Sequence, residues 1–385
     1  MQKRYLLGLH YFLYYKAISF LIPFLPLHLA TRNFDVGEIG LILSLGPFIM
    51  IFSQPLWGLW SDRLQASKKV LILLLIMSML TVWGYYLAHS FLLTILAVSV
   101  FYFFQSPITP ISDSLVLANL GADVANFGLY RLWGSIGFAI GVIFMGKVLE
   151  NYSTIWIFIS FVLIYFITLG NVFNFPDKNR QIKLPLNFFP DLKSLISNKN
   201  LIYFFLLGFL VQLPFGAYNS FFSLYFKSLG GDTSNLGWAW ALAALSEVPV
   251  FFSAQKILSK YSHKHLLCFA AMIYGIRWII QALIASPNYL LVLSLTQGLT
   301  YSVFYFAAVD YINLYTPVSL KTTGQTVFGA ICFGLGPMSG SLLAGWLVKW
   351  YGYSFMFSFF GVICILTSII YYKGKLGETS PIKLV

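Results

Sequence analysis

Apolar residues run in blocks of about twenty or more along nearly the whole chain, broken by short polar intervals. A helix that crosses a bilayer needs about 20 mostly apolar residues. Reading for such runs predicts twelve spans, at 5–30, 38–60, 70–88, 91–118, 127–148, 153–173, 201–226, 235–257, 266–285, 289–314, 324–347 and 353–372. The first run follows Lys3 and Arg4 as a signal peptide would, but it is about twice the length of a signal core and further spans follow, so it reads as an uncleaved span. The one long polar interval carries Lys178, Arg180, Lys183, Lys193 and Lys199. It predicts a six-helix half at 1–173, a basic cytoplasmic linker at 174–200 and a second six-helix half at 201–385.

Composition agrees with the pattern. Of 385 residues 59% are hydrophobic and only 9% charged, too few to clothe a water-soluble domain. Placing both termini in the cytoplasm leaves just four of the 24 Lys and Arg residues outside (Arg32, Lys147, Lys227, Lys349) and three within spans (Lys16, Arg131, Arg277). That satisfies the positive-inside rule for a multi-pass protein of the cell membrane. The net charge of +12 is therefore a topology signal, and its partner is the lipid bilayer, not a nucleic acid. Cys268, Cys332 and Cys364 lie in apolar runs as structural thiols, and His263 and His265 read as solvated loop residues, so no metal or cofactor is expected. Gly141–Lys147 mimics a phosphate loop, but it lacks the following Ser or Thr and sits inside a span. With no nucleotide domain and no nucleophile–base set, neither an enzyme nor an ATP-driven pump is indicated.

The two halves echo each other. Gly137, Gly141 and Gly146 recur 199 residues later as Gly336, Gly340 and Gly345, while Gly40 and Gly237, and Asp113 and Asp310, are each 197 apart. Small residues at four-residue spacing let helices approach closely in lipid. The predicted fold is an all-α integral membrane protein of twelve transmembrane helices in two pseudo-symmetric six-helix halves. Secondary transporters of this plan bind substrate between the halves.

Ionisable groups inside spans cost about 3 kcal/mol even on lenient insertion scales and so need partners or a purpose. Lys16, Asp113, Arg131, Glu247, Arg277 and Asp310 are the candidates. Asp113 and Arg131 sit near the ends of consecutive spans and can face each other. Glu247 and Arg277 lie near mid-span, where snorkelling to water is hard; they read either as a structural ion pair or as a proton-responsive carboxylate with an arginine that alternates between it and substrate. Asp310 reads as a helix-end cap. Gly58–Lys69, G-L-W-S-D-R-L-Q-A-S-K-K, places Asp62, Arg63, Lys68 and Lys69 in a short loop suited to clamping a helix end, and is assigned a gating role.

That loop resembles the signature loop of the major facilitator superfamily, with Ala66-Ser67 where the family has a glycine before the basic pair. Gln54–Arg63, Thr109–Asp113 and Arg131–Phe138 (R-L-W-G-S-I-G-F) are similar to the lactose permease branch, and still more to the phenylpropionate permeases, which share a carboxylate in A-E-V context followed by R-W, as at Glu247 and Arg277-Trp278. The resemblance implies that Asp113 and Arg131 bind substrate and that Glu247 and Arg277 link binding to proton transfer. It places Gln297 and Tyr305 where phenylpropionate permeases have histidines, and Thr300 where lactose permease has its proton-carrying glutamate. Phe138 stands for a sugar-stacking tryptophan, and Lys16 for an aromatic.

The resulting expectation is a monomeric, proton-coupled symporter of a small organic solute, an aromatic carboxylate being favoured. Lys16, Asp113, Arg131, Phe138, Arg277, Gln297 and Tyr305 would line the substrate site, with Glu247 and Asp113 coupling protons. Sugar or nucleoside symport, drug efflux and a non-transporting sensor on the same scaffold are the alternatives.

Overall fold

The computed structural model describes residues 2–120, 127–175, 198–316 and 320–374. Most of the predicted linker therefore lies outside the described residues. Among those described, the secondary structure is helical, with no strand. Eleven helices are long and apolar enough to cross a membrane: Tyr5–Thr31 (α1), Val36–Leu64 (α2), Ser67–Leu87 (α3), Phe91–Leu120 (α4), Phe127–Asn151 (α5), Ile155–Phe173 (α6), Asn200–Ser228 (α7), Thr233–Leu258 (α8), His263–Leu283 (α9), Pro287–Tyr315 (α10) and Thr323–Lys373. The last contains 51 residues. At 1.5 Å per residue it would far overshoot a hydrocarbon core of about 30 Å. Gly352 resolves the excess: at φ 81°, a left-handed conformation that glycine adopts without strain, it breaks the segment into α11 (residues 323–351) and α12 (residues 353–373). The twelve predicted spans are thus present.

Local chemistry sets the helix ends. Asp35 starts α2 with a capping box, accepting from the Glu38 N–H while the Glu38 carboxylate accepts from its own N–H, both at 2.9 Å. Asp232, Ser262 and Asn198 cap α8, α9 and α7 by the same kind of bond. Pro107, which has no N–H to donate, interrupts α4 after Gln105, and the nearby Ser106 carbonyl accepts from Gln54 Nε2 at 3.0 Å. Two π-helical turns, Gly298–Ser302 in α10 and Gly329–Leu335 in α11, lie in the second half. Many Leu, Ile, Phe and Trp side chains are exposed on the outer surface, as lipid-facing helices require.

The repeated glycines build the packing. A Cβ at Gly141 would lie 2.8 Å from the Lys16 carbonyl oxygen, and one at Gly340 would strike that of Leu213; Gly137 meets Phe12, and Gly336 meets Phe209, in the same way. Lys16 and Leu213, like Phe12 and Phe209, are 197 residues apart. The α1–α5 seam and the α7–α11 seam are therefore the same contact made twice. Between the halves, Gly40 packs on Gly345 and Gly237 on Gly146, again an equivalent pair.

Candidate functional site

Between the halves lies a cavity of about 330 Å³. Tyr14 and Tyr15 of α1, Gln54 of α2, and Tyr102, Gln105 and Thr109 of α4 line it from the first half; Asn219 and Ser220 of α7 and Phe333 of α11 line it from the second. Among the described residues no charged side chain contributes to the wall. Several lining groups are already oriented. Ser341 donates to the Gly40 carbonyl at 2.9 Å, so in the 2.7 Å Ser220–Ser341 bond it is Ser220 that donates, leaving Ser220 Oγ with lone pairs for a ligand.

One end of the cavity is shut by contacts across the halves. Besides the two glycine pairs, Ser223 donates to the Pro23 carbonyl at 2.5 Å and Lys349 Nζ lies 3.0 Å from the Asp35 carboxylate. Asp35 lies between spans, and its carboxyl is held below its usual pKa, first by the Glu38 backbone N–H and then by Lys349.

The predicted charged residues surround this cavity without forming its wall. Arg131 pairs with Asp113 at 3.3 Å, and Asp113 also accepts from the Tyr11 hydroxyl at 2.6 Å, so the expected partnership is present. Arg131 keeps 43% of its side chain exposed and lies within reach of Tyr15 and, from the other half, Tyr305. Tyr305 in turn packs on Tyr301, Phe251 and Phe333.

Arg277 is 2% exposed. It is held by Gln297 and by Thr300 at 3.3 Å, between the Tyr218 and Trp278 rings at 5.1 and 4.8 Å. The direct ion pair with Glu247 is not formed. Gln297 stands between them, accepting from Arg277 and lying within hydrogen-bonding reach of the partly buried Glu247. A neutral amide there meets the Arg277 charge by a hydrogen bond in place of a carboxylate.

Lys16 stands 5.9 Å over the Phe12 ring, and among the described residues no carboxylate pairs with it. It does not line the cavity, nor does Phe138, which packs partly buried against the helix core. Two expectations need correction. Asp310 is more than a cap, because it bonds His263 at 2.7 Å across α9 and α10, and His263 is therefore not simply a solvated loop residue. In the loop assigned to gating, the helix-end clamp is made by Lys68, whose Nζ donates to the Phe173 and Phe175 carbonyls at 2.9 and 2.7 Å. Among the described residues the Asp62 carboxylate has no partner; Arg63 and Lys69 are exposed, and Gly58 faces open space.

Charge-based reading missed the wall itself. Tyr14, Gln54, Gln105, Thr109 and Asn219 are uncharged, and their signal in the sequence is only a hydrogen-bonding side chain within an apolar run, three times within two residues of a proline (Gln54 by Pro55, Gln105 and Thr109 by Pro107).

The family model described as "MFS_1 like family" matches residues 5–359. The chain belongs to that family. It is a transporter of the major facilitator superfamily and not an enzyme. This MFS_1-like chain is 28% identical over 363 residues to the maltose permease of Geobacillus stearothermophilus, covering 94% of itself and 92% of the permease. It is 24% identical over 356 residues to an Escherichia coli protein named "Probable 3-phenylpropionic acid transporter", covering 90% and 92% of the two chains. A solved structure of the nucleoside transporter NupG superposes with TM-score 0.88 over 96% of this chain and 98% of that one, at 18% identity, a likeness of fold. The MFS_1-like assignment accounts for the multi-pass membrane architecture.

Proposed function

We propose that this protein is a secondary transporter of a neutral, ring-bearing hydroxylated solute, a sugar or nucleoside, moved by rocking of residues 1–173 against 201–385 about the 174–200 linker in the cell membrane. The carrying observation is the cavity wall, which combines aromatic rings with hydroxyls and amides and, among the described residues, carries no charge. Hydroxylated rings are recognised by such mixed walls, whereas a carboxylate buried against neutral groups pays its desolvation uncompensated. The likeness to a maltose permease in sequence and to a nucleoside transporter in fold supports the same reading. The arrangement is a monomer closed at the Asp35 end, with both termini cytoplasmic. Proton coupling is assigned to Asp113 and to Glu247, whose contacts to Arg131 and Gln297 would change on protonation. Lys16, Phe138, Arg277, Gln297 and Tyr305 then act around the solute more than on it.

A second reading, uptake of an aromatic carboxylate, is favoured by the half-exposed Arg131 beside Tyr15. Uptake into proteoliposomes of radiolabelled maltose, uridine and 3-phenylpropionate, with and without an imposed pH gradient, tests both. Accumulation of maltose or uridine is expected. Accumulation of 3-phenylpropionate alone would replace the first reading with the second, and gradient-independent uptake would remove the proton.

A further inference from the structure

Behind the cavity wall runs a chain of hydrogen bonds that has one direction. Tyr165 of α6 is fully buried, and its hydroxyl donates to Gln105 Oε1 at 2.8 Å. Gln105 Nε2 donates to the Tyr14 hydroxyl at 3.4 Å, and Tyr14 shares a 2.8 Å bond with Thr109 Oγ1. Reversing the chain would strand the Tyr165 proton, because no second acceptor stands beside it among the described residues, and an unmet buried donor costs about 1–3 kcal/mol. The amide of Gln105 is therefore held with its oxygen toward α6. Its nitrogen faces Tyr14, in a side chain that lines the cavity, and the second N–H has no protein acceptor among the described residues. The Tyr14 hydroxyl has no other acceptor among the described residues, so its proton goes to Thr109, which leaves the Thr109 hydroxyl proton free on the wall. The buried His10 stacks on the Tyr14 ring at 6.2 Å and is itself tied to Ser112 at 2.9 Å, so the ring at the centre of the chain is braced.

We infer that Gln105 determines specificity in this cavity by presenting a fixed amide donor, with Thr109 beside it, to an acceptor oxygen of the solute, and that Tyr165, which never touches the solute, is the positioning residue that fixes the amide. This rests on the reading of the cavity as the solute site. The wall is then asymmetric: donors on α4, and lone pairs of Ser220 on α7 opposite. A solute with an acceptor at one end of its ring and a hydroxyl at the other fits that order.

The test uses the purified full chain, with binding of maltose and of uridine measured by calorimetry. For whichever probe binds the wild type, Tyr165→Phe is expected to weaken affinity about three- to tenfold and Gln105→Leu tenfold or more. Gln105→Glu keeps an acceptor for Tyr165 but has no N–H when ionised, so it is expected to behave as Gln105→Leu does. Thr168→Val, which removes another buried hydroxyl of α6, one that donates only to the Ile164 carbonyl and lines no cavity, is expected to leave affinity unchanged. Wild-type affinity in Tyr165→Phe or in Gln105→Glu would overturn the inference while leaving the cavity as a solute site. Equal losses in Tyr165→Phe and Thr168→Val would overturn it too, since a merely structural role moves both. If neither probe binds the wild type, the neutral-solute reading falls first and takes the inference with it.

Discussion

Gly40 of α2 and Gly345 of α11 touch across the two halves: a Cβ at Gly40 would sit 2.8 Å from the Gly345 Cα. The equivalent contact joins Gly237 to Gly146, and in both a carbonyl four residues before the second-named helix's glycine, Ser341 or Val142, faces the first glycine. Backbones this close leave no room for a side chain, so the two contacts define how tightly the Asp35 end can shut.

Gly40→Leu is therefore expected to hold that end open. With an added cysteine in Asn219→Cys, labelling by a membrane-impermeant thiol reagent from the Asp35 side should rise several-fold over the Asn219→Cys parent, while uptake falls. The native thiols Cys332 and Cys364 are buried and should contribute little. Unchanged labelling would show that the glycine contact does not set closure.

The Asp35–Lys349 pair predicts a pH dependence at the same end. Asp35 has its carboxyl held below the ordinary 3.8, so the stabilisation it supplies is present above that value and is lost as pH falls through its folded-state pKa. Asp35→Asn preserves the helix cap but not the ion pair. The variant should melt slightly below the wild type at pH 6, and the difference should vanish in more acid solution. The pair is half exposed, so the difference should also shrink in high salt.

Arg131 grips Asp113 from a position where lysine could carry the charge but not the planar fork. Arg131→Lys should lower uptake at least tenfold. Asp113→Asn should do the same, and the double variant should be no worse than either single one. Additive losses would place the two residues in separate roles.

Gln297 accepts from Arg277 beside Glu247, and the two charged residues form no direct ion pair. Gln297→Leu leaves Arg277 with Thr300 and two rings, and should destabilise the protein by about 1–3 kcal/mol in thermal or denaturant unfolding. Glu247→Gln should fold as the wild type does and lose the response of uptake to a pH gradient. A retained response would move the coupling to Asp113.

The twelve spans, the repeat of glycines and the Asp113–Arg131 pair were legible in the chain because lipid imposes them locally. Span length follows from bilayer thickness, and a charge within a span must be answered. Glycine spacing even foretold which helices meet, since Gly137 and Gly141 and their counterparts line the two equivalent seams. Arg277 shows where that reading stops. Its burial could be foreseen, but its partners are the neutral Gln297 and Thr300, and nothing in the chain distinguishes a charge met by a carboxylate from one met by an amide and two aromatic rings.

The sequence by itself determined the solvent of this protein, its helices and the pseudo-symmetry of its halves, because hydropathy and small-residue spacing act over one helix at a time. Only the tertiary structure decided the site. Tyr14, Gln105 and Tyr165 come from α1, α4 and α6, and each is unremarkable within its own span. Their donors and acceptors acquire direction only when the helices are packed, since a hydrogen bond's sense is set by what every neighbour in the chain has already done with its proton.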